Sequence, residues 1–252
     1  MTMLMLVRAA GLLAGPPLFV GCTAQPAQQL GQLPPVELQV LMSTRNVQSG
    51  ANATINVLTL DPNTCFKLAD SVEATINGHS LPLTDAGGTL SRKGGATYCE
   101  PPHFDGANLP LVGDATIQLH DSTAVFSAGA PAALSGVVAM MLQPIDGVML
   151  SGQTVQIGLA PNIGTINHAT DAYRPTSDGS LAFSGEYPSS AATLSVSGAG
   201  LSFAVPASTP AGAGTLEITA TISIPVSSCL GPAACTVQMG MGSVLTASVG
   251  GP

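Results

Sequence analysis

Tryptophan is absent from this chain, and charge nearly so: only 8% of the 252 residues are Asp, Glu, Lys or Arg, about a third of the share in ordinary domains. Lys and Arg together number 6. That is too few for the clustered cations that neutralise phosphates, so no nucleic acid is expected as a partner. The net charge of −8 gives no attraction to acidic lipid headgroups, which leaves covalent attachment as the route to a membrane. After Cys22 no apolar run approaches the roughly 20 residues that a spanning helix needs. Gly-x-Ser-x-Gly, His-Glu-x-x-His, the phosphate loop and the dinucleotide fingerprint are all missing, so none of those catalytic sites is signalled. His79, His103, His120 and His168 are scattered, and none sits beside a second ligand at metal-binding spacing. No cofactor and no metal are expected.

What is present begins with Met1–Cys22. Arg8 is followed by thirteen uncharged residues, Ala9 to Gly21, a charged start and short apolar stretch that read as a secretory signal. Pro16 and Pro17 break the run too early for a transmembrane helix. Its end, Leu18-Phe19-Val20-Gly21-Cys22, resembles the lipobox of bacterial lipoproteins, with Phe19 standing where Leu is usual. The resemblance implies a lipid on Cys22, cleavage just before it, and attachment to the outer membrane, facing the periplasm or the cell surface. Thr23 follows the cysteine, which in such proteins goes with outer-membrane sorting. A competing site, Cys22-Thr23-Ala24, suits ordinary signal peptidase and would free the protein.

With Cys22 assigned to lipid, four cysteines remain: Cys65, Cys99, Cys229 and Cys235. Outside the cytoplasm these are expected to be oxidised. Four cysteines permit three pairings, and local spacing favours Cys65–Cys99 and Cys229–Cys235, one bridge in each half of the chain. Cys-x5-Cys is not a zinc-ribbon spacing.

Beyond the leader, Thr23–Pro35 is rich in Gln, Ala and Pro and reads as a flexible tether. From Val36 the apolar pattern has period two, as in half-buried strands. It runs through Glu37–Met42, Ala53–Leu60, Ser71–Ile76 and Ala115–His120, with Asn77-Gly78 as a strong hairpin signal. Ser127–Pro131 reads as a short joint. A second unit repeats the grammar through Thr154–Leu159, Leu201–Val205 and Thr215–Ile224, with turns at Asp146-Gly147 and Asp178-Gly179. Thr236–Val249 is a last strand or pair of strands, where Gly240 and Gly242 suggest a bulge. In the second unit, the turn Thr209-Pro210-Ala211-Gly212 before a long strand resembles bacterial immunoglobulin-like domains. The expected fold is all-β: two tandem antiparallel immunoglobulin-like β-sandwiches after a signal peptide and flexible tether. The expected segments are a lipoprotein signal peptide over 1–21, a tether over 22–35, and sandwiches over 36–128 and 132–250.

The remaining candidates are explained by turn chemistry, surface pairing and core packing. His120 beside Asp121 reads as a surface pair rather than an acid–base pair. Asp61, Asn63 and Asp70 fail the spacing of a calcium loop and fit turn chemistry. Met140, Met141, Met149, Met239 and Met241 read as core packing rather than as copper ligands. Export, lipidation and missing catalytic motifs point to a non-enzymatic envelope protein in adhesion, assembly or scaffolding. Its recognition of an envelope protein or polysaccharide is expected in the loops Asp85–Gly95, Pro101–Pro110 and Asn162–Asp178. The alternative is an exported copper-handling protein, or an enzyme with a spatially assembled site.

Overall fold

The period-two runs form strands because each can bury one face and pair both edges of its backbone. The computed structural model describes residues 25–44, 50–91, 97–110, 113–131, 138–144, 146–160, 162, 164–189, 194–198 and 200–250. The chain enters with β1 (Ala27–Gln28) and one 3-10 turn (Leu30–Gln32), then β2 (Val36–Thr44) and β3 (Ala51–Thr59). Short strands follow: β4 (Lys67–Leu68), β5 (Glu73–Ile76), β6 (His79–Leu81), β7 (Leu83–Asp85), β8 (Gly88–Ser91) and β9 (Thr97–Glu100). Next come β10 (His103–Leu109), β11 (Ala115–His120) and β12 (Val125–Ala130). The C-terminal half has β13 (Val138–Gln143), β14 (Val148–Leu150), β15 (Thr154–Ala160), β16 (Thr165–Pro175), β17 (Phe183–Tyr187), β18 (Leu194–Ser197) and β19 (Gly200–Ala204). It closes with β20 (Gly212–Ile224), β21 (Ser228–Leu230) and β22 (Ala234–Gly250). No α-helix occurs among the described residues; the protein is all-β.

One sheet of nine strands runs through both halves in the order β17-β16-β20-β22-β2-β3-β10-β7, with β14 also on β22. Its buried face is continuous. Phe104 pairs with Ile55, Ile55 with Val40, Val40 with Val237 and Val237 with Ile224, and all five side chains are buried. A five-stranded sheet, β21-β12-β11-β5-β6, covers one half of that face, and a four-stranded sheet, β13-β15-β19-β18, covers the other. Leu81 of β6 lies so close to Gly106 of β10 that a Cβ added there would come within 2.9 Å of Leu81 Cγ. On the other half, Phe203 of β19 packs on Phe183 of β17, with ring centroids 5.7 Å apart.

β22 is the seam. Its 17 residues span about 55 Å at 3.2–3.4 Å per residue. Over Val237–Val249 it pairs antiparallel with β20. On its other edge Ala234–Met241 runs parallel to β2, and Ser248–Gly250 runs parallel to β14. Strand pairing therefore crosses the division expected at residue 132. Residues 228–241 join the sheets built by residues 36–130, through β21 on β12 and β22 on β2. Among the described residues the parallel pairs, with β1–β4, number three, and the other pairs are antiparallel.

Local expectations divide. The Asn77-Gly78 hairpin forms with positive φ at both residues (50° and 78°), which a two-residue hairpin turn of this kind requires. The expected bulge at Gly240 and Gly242 does not form: pairing with Thr221 and Thr219 runs through both without a register shift. Ser127–Ala130 is not a joint but the end of β12, paired to β11 and β21. Gly129 permits that pairing, because a Cβ there would meet Ser228 Oγ at 2.7 Å and Ser227 Oγ at 2.8 Å.

Candidate functional site

The register gathers one set of strand ends at a single pole. β2 begins at Val36 opposite Thr59 at the end of β3, and β22 begins at Ala234 beside Glu37. The Leu60 N–H donates to the Pro35 carbonyl (3.2 Å) and the Ala233 N–H to the Val36 carbonyl (2.9 Å). β11 ends here at His120, cross-paired with Val125 of β12 and Glu73 of β5. From this pole β22 runs toward the second sandwich.

The chain enters at the same pole, and not as a flexible tether: from Gln25 to Pro35 it is strapped down. The Gln25 side-chain amide donates to the Cys65 carbonyl, and Thr89 Oγ1 donates to Gln25 Oε1 at 3.5 Å. β1 pairs with β4, and the Ala69 N–H donates to the Gln28 carbonyl (2.9 Å). Leu30 is 1% exposed. Its N–H donates to Asp121 Oδ2 (2.7 Å), and the Gly31 N–H to Thr123 Oγ1 (3.0 Å). Asp121 Oδ1 in turn accepts from the Thr123 N–H (2.7 Å), the Thr123 hydroxyl (2.6 Å) and the Ala124 N–H (3.0 Å). Partial burial pushes the Asp121 carboxyl up, but hydrogen bonds from Thr123, Leu30 and Ala124 together outweigh it and hold it below the usual carboxylate range. The expected His120–Asp121 pair does not form the contact. His120 instead faces Glu73, 3.6 Å away across the strand pair.

Beside Gln25 a bridge joins Cys65 to Cys99, with Cα atoms 5.0 Å apart. It fixes the β8–β9 hairpin, where Thr89 faces Cys99 and Leu90 faces Tyr98. A groove of about 490 Å³ opens there, walled by Val57, Leu58, Phe66, Tyr98, Pro62 and Pro101. The neighbouring turn is held by Asp61, whose carboxylate accepts from the Asn63 N–H (3.0 Å) and the Thr64 hydroxyl (2.7 Å). Those bonds lower its pKa. The second bridge, Cys229–Cys235, spans 5.8 Å between Cα atoms. It ties β21 in the five-stranded sheet to β22 in the nine-stranded sheet. Both bridges thus lie in the first sandwich, although their cysteines fall in different halves of the chain.

Cys22 lies outside the described residues. Of the expected recognition loops, Pro101–Pro110 is mostly strand β10, paired to β3 and β7, and Asn162–Asp178 is mostly strand β16, paired to β17 and β20. Asp85–Gly95 belongs in part to β7 and β8, and 92–96 lie outside the described residues. His103 and His168 sit beside Asp105 (3.7 Å) and Glu186 (3.0 Å) on the outer side of the large sheet. Met149, Met239 and Met241 are buried in the apolar core, and Met140 is exposed on β13, so the thioethers are divided between the interior and the surface.

One acid is buried where the sequence pattern gives no sign of it. Asp171 takes an inward position of β16, between Ala169 and Tyr173, and is 2% exposed. Burial pushes its carboxyl up to about 6, only partly offset by its own amide and that of Gly185. Oδ1 has no hydrogen-bond partner. A polar cleft of about 440 Å³, lined by Ser184, Gly185, Glu186 and Ser189, opens over it. Among the described residues no three His, Cys, Asp or Glu side chains converge as a metal site.

No protein-family model matches the chain, and no curated protein matches it. Among solved structures, it is similar to a chimeric titin Z1Z2 carrying an exogenous KLER peptide from decorin. The identity is 12% and the TM-score 0.21, covering 86% of this chain and 95% of that one. It is also similar to the tandem Ig repeats of Dlar, with 14% identity and a TM-score of 0.20, covering 81% and 95%. The strand pairing itself defines the fold.

Proposed function

We propose that the protein is a lipid-anchored envelope lipoprotein with a non-enzymatic scaffolding or adhesion role. It would be fixed to the outer membrane through Cys22 and present its immunoglobulin-like second sandwich away from the bilayer. The observation that carries this reading is the position of Gln25. Three residues after the lipobox-like cysteine, the chain is already bonded to the Cys65–Cys99 pole, while β22 leads from that pole to the other sandwich. A short anchor, two bridges at the anchored end and a long shared strand form a stiff stalk suited to holding a surface at a set distance. The ligand class is an envelope protein or polysaccharide.

The experiment is fractionation with mass analysis of the mature N-terminus. An acylated Cys22 in the outer-membrane fraction, and a Cys22→Ala variant that is not retained there, are the expected results. A soluble chain beginning at Gln25, as cleavage after Ala24 would leave it, overturns the reading.

A further inference from the structure

The pole that receives the chain carries several exposed apolar side chains; others, among them Leu142, Leu150 and Val244, lie along the second sandwich. Leu60, Leu90, Tyr98, Val125 and Leu230 are 52%, 38%, 42%, 59% and 65% exposed. Each lies at a strand end or hairpin of this pole. Leu60 follows β3 and bonds to Pro35 through its N–H. Leu90 and Tyr98 face each other on the stapled hairpin. Val125 opens β12, and Leu230 ends β21, opposite Ser127. The apolar groove beside Tyr98 enlarges the patch. Five such side chains at one pole call for a covering partner.

The anchor decides which partner. Only Thr23 and Ala24 separate Cys22 from Gln25, and three extended residues reach at most about 11 Å. A lipid on Cys22 would therefore keep this pole within about one headgroup layer of the acyl chains. We infer that the pole is a bilayer-docking face, in which Leu60, Leu90, Tyr98, Val125 and Leu230 enter the headgroup–acyl boundary of the membrane that holds the anchor. This rests on lipidation at Cys22. Tyrosine suits that boundary because its ring is apolar and its hydroxyl stays wet. Asp61, Glu73, Glu100 and Lys67 lie at the same pole, so it carries charge of both signs and the docking rests on its apolar side chains. The consequence is an oriented molecule, standing on the membrane through its first sandwich.

The absence of tryptophan supplies the test. Leu230→Trp and Val244→Trp each introduce a single tryptophan, which can be excited selectively over the tyrosines. Val244 is 68% exposed on β22, about 30 Å along the strand from Ala234. Each full-length variant is matured in cells, checked for acylation by mass, and reconstituted into phosphatidylcholine vesicles with or without brominated acyl chains. The expected result is a blue-shifted Leu230→Trp emission that loses most of its intensity to brominated chains, with Val244→Trp unchanged. An acylated, vesicle-bound Leu230→Trp protein with water-like, unquenched emission overturns the docking and leaves the anchoring intact. A blue shift without bromine quenching points to a second copy covering the pole and also overturns it. An unacylated protein overturns the anchoring, and the docking falls with it. Should Leu230→Trp misfold, Val125→Trp replaces it with the same expected outcomes.

Discussion

The two sandwiches share a sheet but are held together differently. The first has both disulfides, a strap clamped by Asp121, and an interior of Leu, Ile, Val and Phe. The second has no bridge among its described residues. It relies instead on packing of Tyr173 on Phe183 (5.4 Å) and of Phe183 on Phe203, and it buries a carboxylate at Asp171. Covalent reinforcement is thus concentrated at the end where the chain enters. It confines the unfolded first sandwich, whereas the second has only non-covalent packing to oppose chain entropy.

The largest break in this comparison should come from the Cys65–Cys99 bridge. The cysteines are 34 residues apart, and closing a loop of that size constrains the unfolded chain by about 3–4 kcal/mol. The Cys229–Cys235 bridge, with a separation of 6, contributes about 2 kcal/mol on the same basis. Hydrogen exchange on a Cys65→Ala/Cys99→Ala variant should accelerate strongly in β11 and β12, and much less in β15 and β19. Equal acceleration in both would mean that β22 couples the sandwiches into one cooperative unit.

The next effect separates the sandwiches by pH. Asp171 has its pKa raised to about 6, by burial above all. In the range between its unfolded and folded values the native state binds the extra proton, so stability is full below about pH 4 and is lost as pH rises through 6. The loss is up to about 3 kcal/mol. Denaturant midpoints for the second sandwich should therefore fall from pH 4.5 to pH 7, and Asp171→Asn should flatten that trend and raise the midpoint at pH 7. Asp121 and Asp61 act in the opposite direction. Their lowered carboxyls stabilise the first sandwich at neutral pH, a contribution lost below pH 4. Mild acid should thus favour the second sandwich and strong acid should weaken the first.

Much of this was legible residue by residue. Thr215–Ile224 alternates without a break and forms the inner row of β20, and Asn77-Gly78 turns where it should. What escaped the sequence has local causes. β16 hides its period behind a register shift between Ile166 and His168 and an Asp at an inward position. β10 carries Asp105, Gly106 and Asn108, which resemble loop residues, yet Phe104 and Leu109 are buried along it. The strap has strands of two residues, too short for any period. The union of β2 with β22 joins segments about 200 residues apart, and no nearby turn or spacing announces a parallel partner at that distance. The docking pole is invisible for the same reason, since its five apolar side chains come from four separate stretches.

A smaller substitution tests whether the second sandwich depends on packing alone. Tyr173 is fully buried, and its hydroxyl donates to the Gly212 carbonyl at 3.0 Å. An added Cβ at Gly214 would lie 2.5 Å from that hydroxyl, so ring and glycine are fitted to each other across β16 and β20. Tyr173→Phe keeps the stack on Phe183 and removes only the hydrogen bond, which should cost about 1 kcal/mol. Gly214→Ala leaves the bond's partners in place but drives a methyl group into the ring and the Arg174 carbonyl, an overpacking that should cost about 1–3 kcal/mol. Denaturant titration of the two variants ranks the effects. If Gly214→Ala proves the milder, the ring has room to move, and the second sandwich is looser at this corner than the fit between Tyr173 and Gly214 implies.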